Sequence, residues 1–83
     1  TASLLALFAW TEAEFLQKTE GSAIRRIGFE RWQRNIAVAL GNAPHSALII
    51  SALEASANST SRLVQEHITW ALTQQYARAS CAA

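Results

Sequence analysis

One short pattern occurs twice in this sequence and constrains the fold more than any other feature. Residues 32–40 read WQRNIAVAL, residues 64–72 read VQEHITWAL, and four of these nine aligned positions are identical. Both segments space their apolar residues as a helix does when it buries one face. A helical pattern that recurs after 32 residues, each time behind another predicted helix, is typical of a short solenoid of helical hairpins.

The composition agrees with an all-helical fold. The 83 residues include one proline and three glycines, so few interruptions divide the chain, which favours helices over many short strands. Half of the residues (51%) are hydrophobic and 16% are charged, which indicates a packed core and not a disordered chain. We therefore expect one all-α, HEAT-like domain over residues 1–83, with about five helices packed as antiparallel hairpins. A domain of this size has little core to spare for a deep active site.

Helix start and stop signals predict the boundaries. Thr11 and Glu14 have the spacing of a capping box, Gly21 suits a left-handed stop, and Gly41 and Pro44 are expected to end the helix before them. A polar run at 58–61, rich in N-cap residues, precedes the last helix. The predicted helices are 3–9, 12–19, 29–40, 46–57 and 62–79, with a short turn at 22–26.

Apolar spacing predicts which side chains face inward. The helix at 29–40 is the clearest, with one apolar stripe and with Arg31 and Arg34 on the opposite side. In the last helix, Leu63 and Trp70 make a second apolar face, which fits stacking on both sides. The residues expected to face inward are Phe15, Leu16, Phe29, Trp32, Ile36, Ala39, Leu40, Ile49, Ile50, Leu53, Ala57, Val64, Ile68, Ala71, Leu72 and Gln75.

Basic charge is concentrated in one segment. The chain has a formal net charge of +1, but residues 18–34 hold five Lys and Arg against two Glu, a local charge of +3. The remaining two Arg and four Glu give −2. Such a segment is typical either of a nucleic-acid contact or of the solvated face of an amphipathic helix.

Signals for chemistry are weak. A single cysteine, Cys81, forms neither an internal disulfide nor a thiolate metal site, and we expect an exposed thiol in a reducing setting. His45 and His67 have no carboxylate or cysteine at ligand spacing, and no arrangement indicates a catalytic triad. Glu66 beside His67 points away from it on a helix. We predict no catalytic and no metal-binding residue, and no apolar run approaches the length of a membrane span.

The run EGSAIRRIGFERWQRNIAVALGN at 20–42 resembles the C-terminal segment of the epoxyqueuosine reductases. Two further runs resemble the same proteins, LLALFAWTEAEFLQKTEGS at 4–22 and LVQEHITWALTQQ at 63–75. The resemblance is weakest over 43–61 and after residue 75. The chain starts at Thr1 and has no Met, so we interpret it as a fragment of such an enzyme.

The resemblance implies more than the residues show. These cytoplasmic enzymes reduce epoxyqueuosine to queuosine at the wobble base of certain tRNAs, using a cobalamin and two four-iron four-sulfur clusters on cysteine-rich motifs. This chain has no such motif. We therefore expect no cofactor in this segment, a catalytic domain elsewhere in the parent enzyme, and a supporting or tRNA-binding role here.

The resemblance makes Arg25, Arg26, Arg31 and Arg34 candidates for contacts with phosphates of the tRNA anticodon arm, because guanidinium groups match phosphate geometry. The alternative is a solvated helix face whose arginines pair with Glu20 and Glu30. Lys18 is a weaker candidate, since Glu14 lies four residues before it.

For Asn35 and the tryptophans, structural roles compete with contacts to RNA. Asn35 is expected to fix the preceding loop, with RNA contact as the alternative. Trp32 is expected in the core, whereas Trp10 or Trp70 is a candidate for packing against the catalytic domain or for base stacking.

Two rival functions remain: a structural or protein-interaction module, and a small DNA-binding helical domain that would expose Arg31, Arg34 and Asn35. An autonomous enzyme fits the residues least well.

Overall fold

The computed structural model describes residues 2–58 and 61–82, and among their side chains those of 3–58 and 61–79. This part of the chain contains five α-helices, one 3-10 helix and no strand, which confirms the all-α prediction. The helices are α1 (Ala2–Phe8), α2 (Glu12–Lys18), α3 (Phe29–Asn42), α4 (Ala47–Ser56) and α5 (Arg62–Ala82), and the 3-10 helix is Ala23–Ile27.

Helices α3 and α5, which carry the repeated pattern, pack directly on each other. Val38 of α3 and His67 of α5 line the same shallow groove. Further along α3, Gly41 lies close to Ala71, and the Gly41 carbonyl accepts a hydrogen bond from Arg78. Because the contacts advance in the same direction, α3 and α5 run parallel, and α4, which connects them along the chain, packs on α5. The two copies of the repeat therefore lie side by side, as expected in a solenoid; the HEAT-like assignment stays a prediction.

The core lies between α3, α4 and α5 and is covered on one side by α1. Its buried members come mainly from the predicted stripes. The buried stripe of α3 is shifted from the predicted one. Gln33 and Ala37 are buried, whereas Ala39, which was predicted to face inward, is half-buried. The buried hydrophobic side chains are Phe8, Phe15, Ile36, Ala37, Leu40, Ile49, Leu53, Val64, Ile68 and Ala71.

Helix α2 is stabilised by the buried Phe15 side chain and by a capping box at its N-terminus. The Glu14 amide donates to the Thr11 hydroxyl at 3.2 Å and the Thr11 amide donates to the Glu14 carboxylate at 3.1 Å, which confirms the capping box. Phe15 is fully buried. The prediction that Leu16 faces inward is wrong, since Leu16 is 41% exposed. A helix of two turns buries only a narrow stripe, and the next residue points about 100° away from it.

The prediction that Gly41 ends the helix before it is wrong. α3 continues through Gly41 to Asn42, and Gly41 is buried. A Cβ atom at Gly41 would lie 2.6 Å from Trp70 Cζ3 and 2.9 Å from the Ala71 Cα. The glycine therefore permits the close approach of α3 and α5 instead of a turn. Trp70 covers this contact with part of its ring and stays 39% exposed.

Gln75 joins the end of α3 to the start of α4. Its side chain is fully buried, and its Nε2 donates to the carbonyl oxygens of Leu40 (2.8 Å) and Ala43 (3.0 Å). Its Oε1 accepts from the Ser46 amide at 3.1 Å. Arg78 donates to the Gly41 carbonyl, and so brings a positive charge to the C-terminus of a helix without a basic residue in its own last turn.

The start of α5 agrees with the predicted polar loop at 58–61, because the Ser61 hydroxyl accepts from the Val64 amide at 3.3 Å. Ser59 and Thr60 of that loop, and the Cys81 side chain predicted to be an exposed thiol, lie outside the described residues. Among the helices as described, none has the length and apolarity needed to cross a membrane.

Candidate nucleic-acid interface

Arg25 and Arg26 lie on the 3-10 helix, where two glycines and one serine cap determine the backbone. The Ser22 hydroxyl accepts from the Ile24 amide at 3.2 Å. Gly21 (φ +75°) and Gly28 (φ +84°) occupy the left-handed region on either side, so the predicted stop at Gly21 is confirmed. Both arginines are exposed and line one open depression with residues 21–23.

Arg31 and Arg34 lie one turn apart on α3. Arg31 is exposed, and Arg34 is half-buried. The Arg34 guanidinium donates from Nε and Nη2 to Asn35 Oδ1 at 3.2 and 3.0 Å. The Asn35 amide thus orients Arg34 and does not fix the preceding loop, which differs from the role we predicted. Neither arginine of α3 lines the depression beside Arg25 and Arg26.

An aromatic cluster fixes the elements that flank the basic segment. Trp10 stacks on Trp32 with ring centroids 5.4 Å apart and planes inclined by 15°. Phe15 contacts Trp32 at 5.4 Å and Phe29 at 5.7 Å. These contacts join α2 to the first turn of α3, so the intervening 3-10 helix is held at both ends. Trp32 packs against the core as predicted, and its stacking on Trp10 leaves neither ring free on both faces.

Lys18 takes part in this cluster and not in the ion pair that its spacing indicated. Its Nζ lies 5.6 Å from the centroid of the Trp10 ring, within the range of a cation–π contact. Glu14, the expected partner, is engaged in the capping box of α2. Lys18 is therefore turned toward the α1–α2 junction.

No carboxylate neutralises the four arginines in the described part of the chain. The ion pair found there joins Arg62 to Glu66 at 3.6 Å, on the surface of α5. Pairing with Glu20 and Glu30, the alternative explanation for the basic segment, is therefore not observed. Uncompensated guanidinium groups on a held backbone suit the binding of an anion.

The histidines stay apart from this segment. His67 Nδ1 lies 2.8 Å from the Leu63 carbonyl oxygen within α5, and His45 is exposed before α4. Among the side chains the structure describes, His, Cys, Asp and Glu form no group of three or more that would hold a metal ion.

Comparison with known proteins finds similar sequences among the epoxyqueuosine reductases. No family model and no solved structure matches the chain. It is 66% identical over 76 residues to the epoxyqueuosine reductase of Shewanella oneidensis, covering 89% of this chain and 19% of that protein. The epoxyqueuosine reductase of Escherichia coli is 60% identical over 75 residues, covering 90% of this chain and 20% of that protein. This chain is homologous to the C-terminal part of epoxyqueuosine reductases.

The resemblance found in the sequence is thereby confirmed. A third relative, the epoxyqueuosine reductase of Xanthomonas campestris, is 62% identical over 73 residues, covering 88% of this chain and 21% of that protein. The chain thus spans about a fifth of the length of the reductases it matches. Matches this long include the middle of the chain, so the basic segment at 18–34 lies within the part shared with the reductases.

Proposed function

We propose that this chain is the non-catalytic C-terminal part of a cytoplasmic epoxyqueuosine reductase, and that it helps to bind the substrate tRNA. The parent enzyme would reduce epoxyqueuosine to queuosine in tRNA, with a cobalamin and two four-iron four-sulfur clusters held elsewhere in the polypeptide. The residues present here do not fit a cluster, since one cysteine cannot provide four thiolate ligands. The role that we propose for these residues is therefore substrate binding and not the reduction itself.

The proposed contacts are made by Arg25, Arg26, Arg31 and Arg34 to phosphates of the anticodon arm. RNA arms are recognised largely through shape and backbone, and neutralisation of phosphates provides much of the affinity. The observation that carries the proposal is the lack of a carboxylate within 4.0 Å of any of these guanidinium groups among the described residues. A solvated helix face built for stability would instead pair some of its arginines, as Arg62 does with Glu66.

The backbone that carries the arginines is fixed by local contacts, which also favours phosphate binding. The 3-10 helix is closed by two positive-φ glycines, and α3 is attached to α2 through stacked rings. The Arg34 guanidinium donates two hydrogen bonds to Asn35 Oδ1. A guanidinium whose rotamer is already restricted loses less conformational entropy when it binds a phosphate.

The alternative is a structural or protein-interaction module without RNA contact. Its support is the exposure of apolar side chains outside the core, above all Leu48 of α4 at 70% and Ile24 of the 3-10 helix at 46%. Such side chains are suited to packing against another protein domain.

Salt-dependent tRNA binding by the full-length reductase separates the two. We expect the pairs Arg25→Ala/Arg26→Ala and Arg31→Ala/Arg34→Ala each to weaken binding and to reduce the slope of log Kd against log salt by roughly 1.4–1.8, about 0.7–0.9 for each lost phosphate contact. Arg62→Ala is the matched control, because that exposed arginine is already paired with Glu66; its slope should equal that of the parent. The far-UV circular dichroism of all variants should be unchanged.

Equal affinities and equal slopes for both pairs and the parent would contradict the tRNA role of these arginines. The protein-interaction alternative would then be preferred.

A further inference from the structure

The shallow groove between the parallel helices α3 and α5 has a volume of about 300 Å³. It is lined by Val38, Glu66, His67 and Trp70. The sequence left Trp10 and Trp70 as candidates for base stacking or for packing against the catalytic domain. Trp10 is stacked on Trp32, whereas Trp70 is 39% exposed at this groove. Trp70 is therefore the tryptophan that is available to a partner.

The Trp70 ring is supported along one edge by α3. Its Cζ3 atom lies over Gly41, so close that a Cβ atom at Gly41 would come within 2.6 Å of it. The remaining surface of the ring borders the groove and solvent. A ring that is packed along one edge and open elsewhere is suited to the stacking of an unpaired base, the usual way in which proteins bind single-stranded RNA.

The groove continues the side of α3 that carries two of the candidate arginines. Arg31, Arg34 and Val38 occur at i, i+3 and i+7, so they fall within about 60° of one another around the helix. Arg34 and Val38 are four residues apart, and such side chains are surface neighbours with Cβ atoms about 5–6 Å apart. A strand whose phosphates bind Arg31 and Arg34 therefore has the groove directly beside it.

The polar members of the groove accept hydrogen bonds. His67 Nδ1 lies 2.8 Å from the Leu63 carbonyl oxygen, which only accepts, so in the neutral ring Nδ1 carries the proton and Nε2 is an acceptor. The Glu66 carboxylate, which on its own would repel a phosphate, is paired with Arg62 at 3.6 Å. Bases carry amino and imino donors on their edges, so acceptors beside an aromatic ring suit a base better than a phosphate.

We propose that this groove holds one unpaired base of the substrate tRNA, stacked on Trp70, while Arg31 and Arg34 bind the phosphates beside it. The proposal rests on the function proposed above and adds to it a contact that is not electrostatic. The base differs from the one that is reduced, because that nucleotide must reach the catalytic part of the parent enzyme. An apolar side chain of another protein domain fits the same groove but needs no aromatic ring, so the two occupants respond differently to substitution.

Salt-dependent tRNA binding by the full-length reductase tests the stacking. Trp70→Leu keeps an apolar side chain over Gly41 and removes the ring, so it should weaken binding at least about fivefold, the lower limit for the loss of one stacked base. The slope of log Kd against log salt should equal that of the parent, because no phosphate contact is lost. Trp70→Phe retains an aromatic face and should bind within about threefold of the parent.

Tyr76→Ala is the matched control. Tyr76 is an exposed aromatic residue of the same helix, but its hydroxyl donates to the Glu54 carboxylate at 2.7 Å and it does not line the groove. Its tRNA affinity should equal that of the parent. The far-UV circular dichroism of all three variants should be unchanged.

Three results would overturn the stacking proposal: parent-like tRNA affinity of Trp70→Leu, an equal loss for Trp70→Phe and Trp70→Leu, or an equal loss for Tyr76→Ala. Parent-like binding by Trp70→Leu, with a reduced salt slope for the variants that lack two arginines, would keep the tRNA role and make the groove a protein contact. Weaker binding by Trp70→Leu, with an unchanged slope for those arginine variants, would keep the stacking and remove the arginine contacts.

Discussion

Removing the Gln75 side chain should destabilise the fold more than any surface change in this chain. Gln75 is fully buried and makes three hydrogen bonds of 2.8–3.1 Å, to Leu40, Ala43 and Ser46. These partners lie at the end of α3 and the start of α4, so one side chain of α5 determines how the α3–α4 connection sits. Gln75→Ala removes all three bonds and leaves a cavity.

The expected loss follows from those contacts. Three hydrogen bonds at about 1 kcal/mol each amount to about 3 kcal/mol, and the cavity adds about 1 kcal/mol. A domain of this length has a free energy of unfolding of about 4–12 kcal/mol. A loss of about 4 kcal/mol is thus a large part of the total and should lower Tm by roughly 15–30 °C.

Urea unfolding of the whole chain, followed by circular dichroism at 222 nm, measures this loss. Gln75→Leu keeps most of the volume, so it should lose about 3 kcal/mol and isolate the hydrogen bonds from the cavity. Gln74→Ala, one residue earlier and only half-buried, is the control and should stay within about 0.5 kcal/mol of the parent. A loss below about 1 kcal/mol for Gln75→Ala would refute the assigned role.

Further expectations concern three other contacts. Gly41→Ala should lower the free energy of unfolding by about 1–2 kcal/mol in urea, because the clash with Trp70 and the α5 backbone outweighs the gain of about 1 kcal/mol in helix propensity; a stabilised variant would contradict the close approach. Thr11→Ala should cost about 1 kcal/mol by the same assay, and an unchanged midpoint would argue against the capping box. The hydrogen bond to the Glu54 carboxylate raises the pKa of Tyr76, the one tyrosine of the chain. Glu54→Gln should therefore lower the pKa of Tyr76, measured by absorbance titration at 295 nm. An unchanged pKa would exclude this hydrogen bond.

The sequence predicts the helices well because their signals are local. Capping residues, positive-φ glycines and apolar spacing act within one or two turns, and each predicted helix is present with its ends shifted by at most three residues. The repeat also anticipates that α3 and α5 are structurally equivalent, since it aligns the two buried isoleucines, Ile36 and Ile68.

Long-range contacts explain what the sequence did not predict. Gly41 has the spacing of a helix stop, but its role depends on a backbone 30 residues away. Gln75 was placed on the inner face, yet nothing local indicates which carbonyl groups it would meet. Gln33 was not predicted to face inward, although its identity with Gln65 in the repeat was a signal of its burial.

The repeat itself argues that the arginines of α3 serve a purpose other than folding. Positions 31 and 34 correspond to Leu63 and Glu66 in α5, so the repeat has an apolar residue and an acid where α3 has two arginines. Because the corresponding positions of α5 carry an apolar residue and an acidic residue, the repeated helix does not require an arginine at position 31 or 34. Replacing Arg31 with Ala should therefore leave the free energy of unfolding within about 0.5 kcal/mol of the parent. If that variant unfolded much more easily, the charge would belong to the fold, and its availability for tRNA would lose its physical basis.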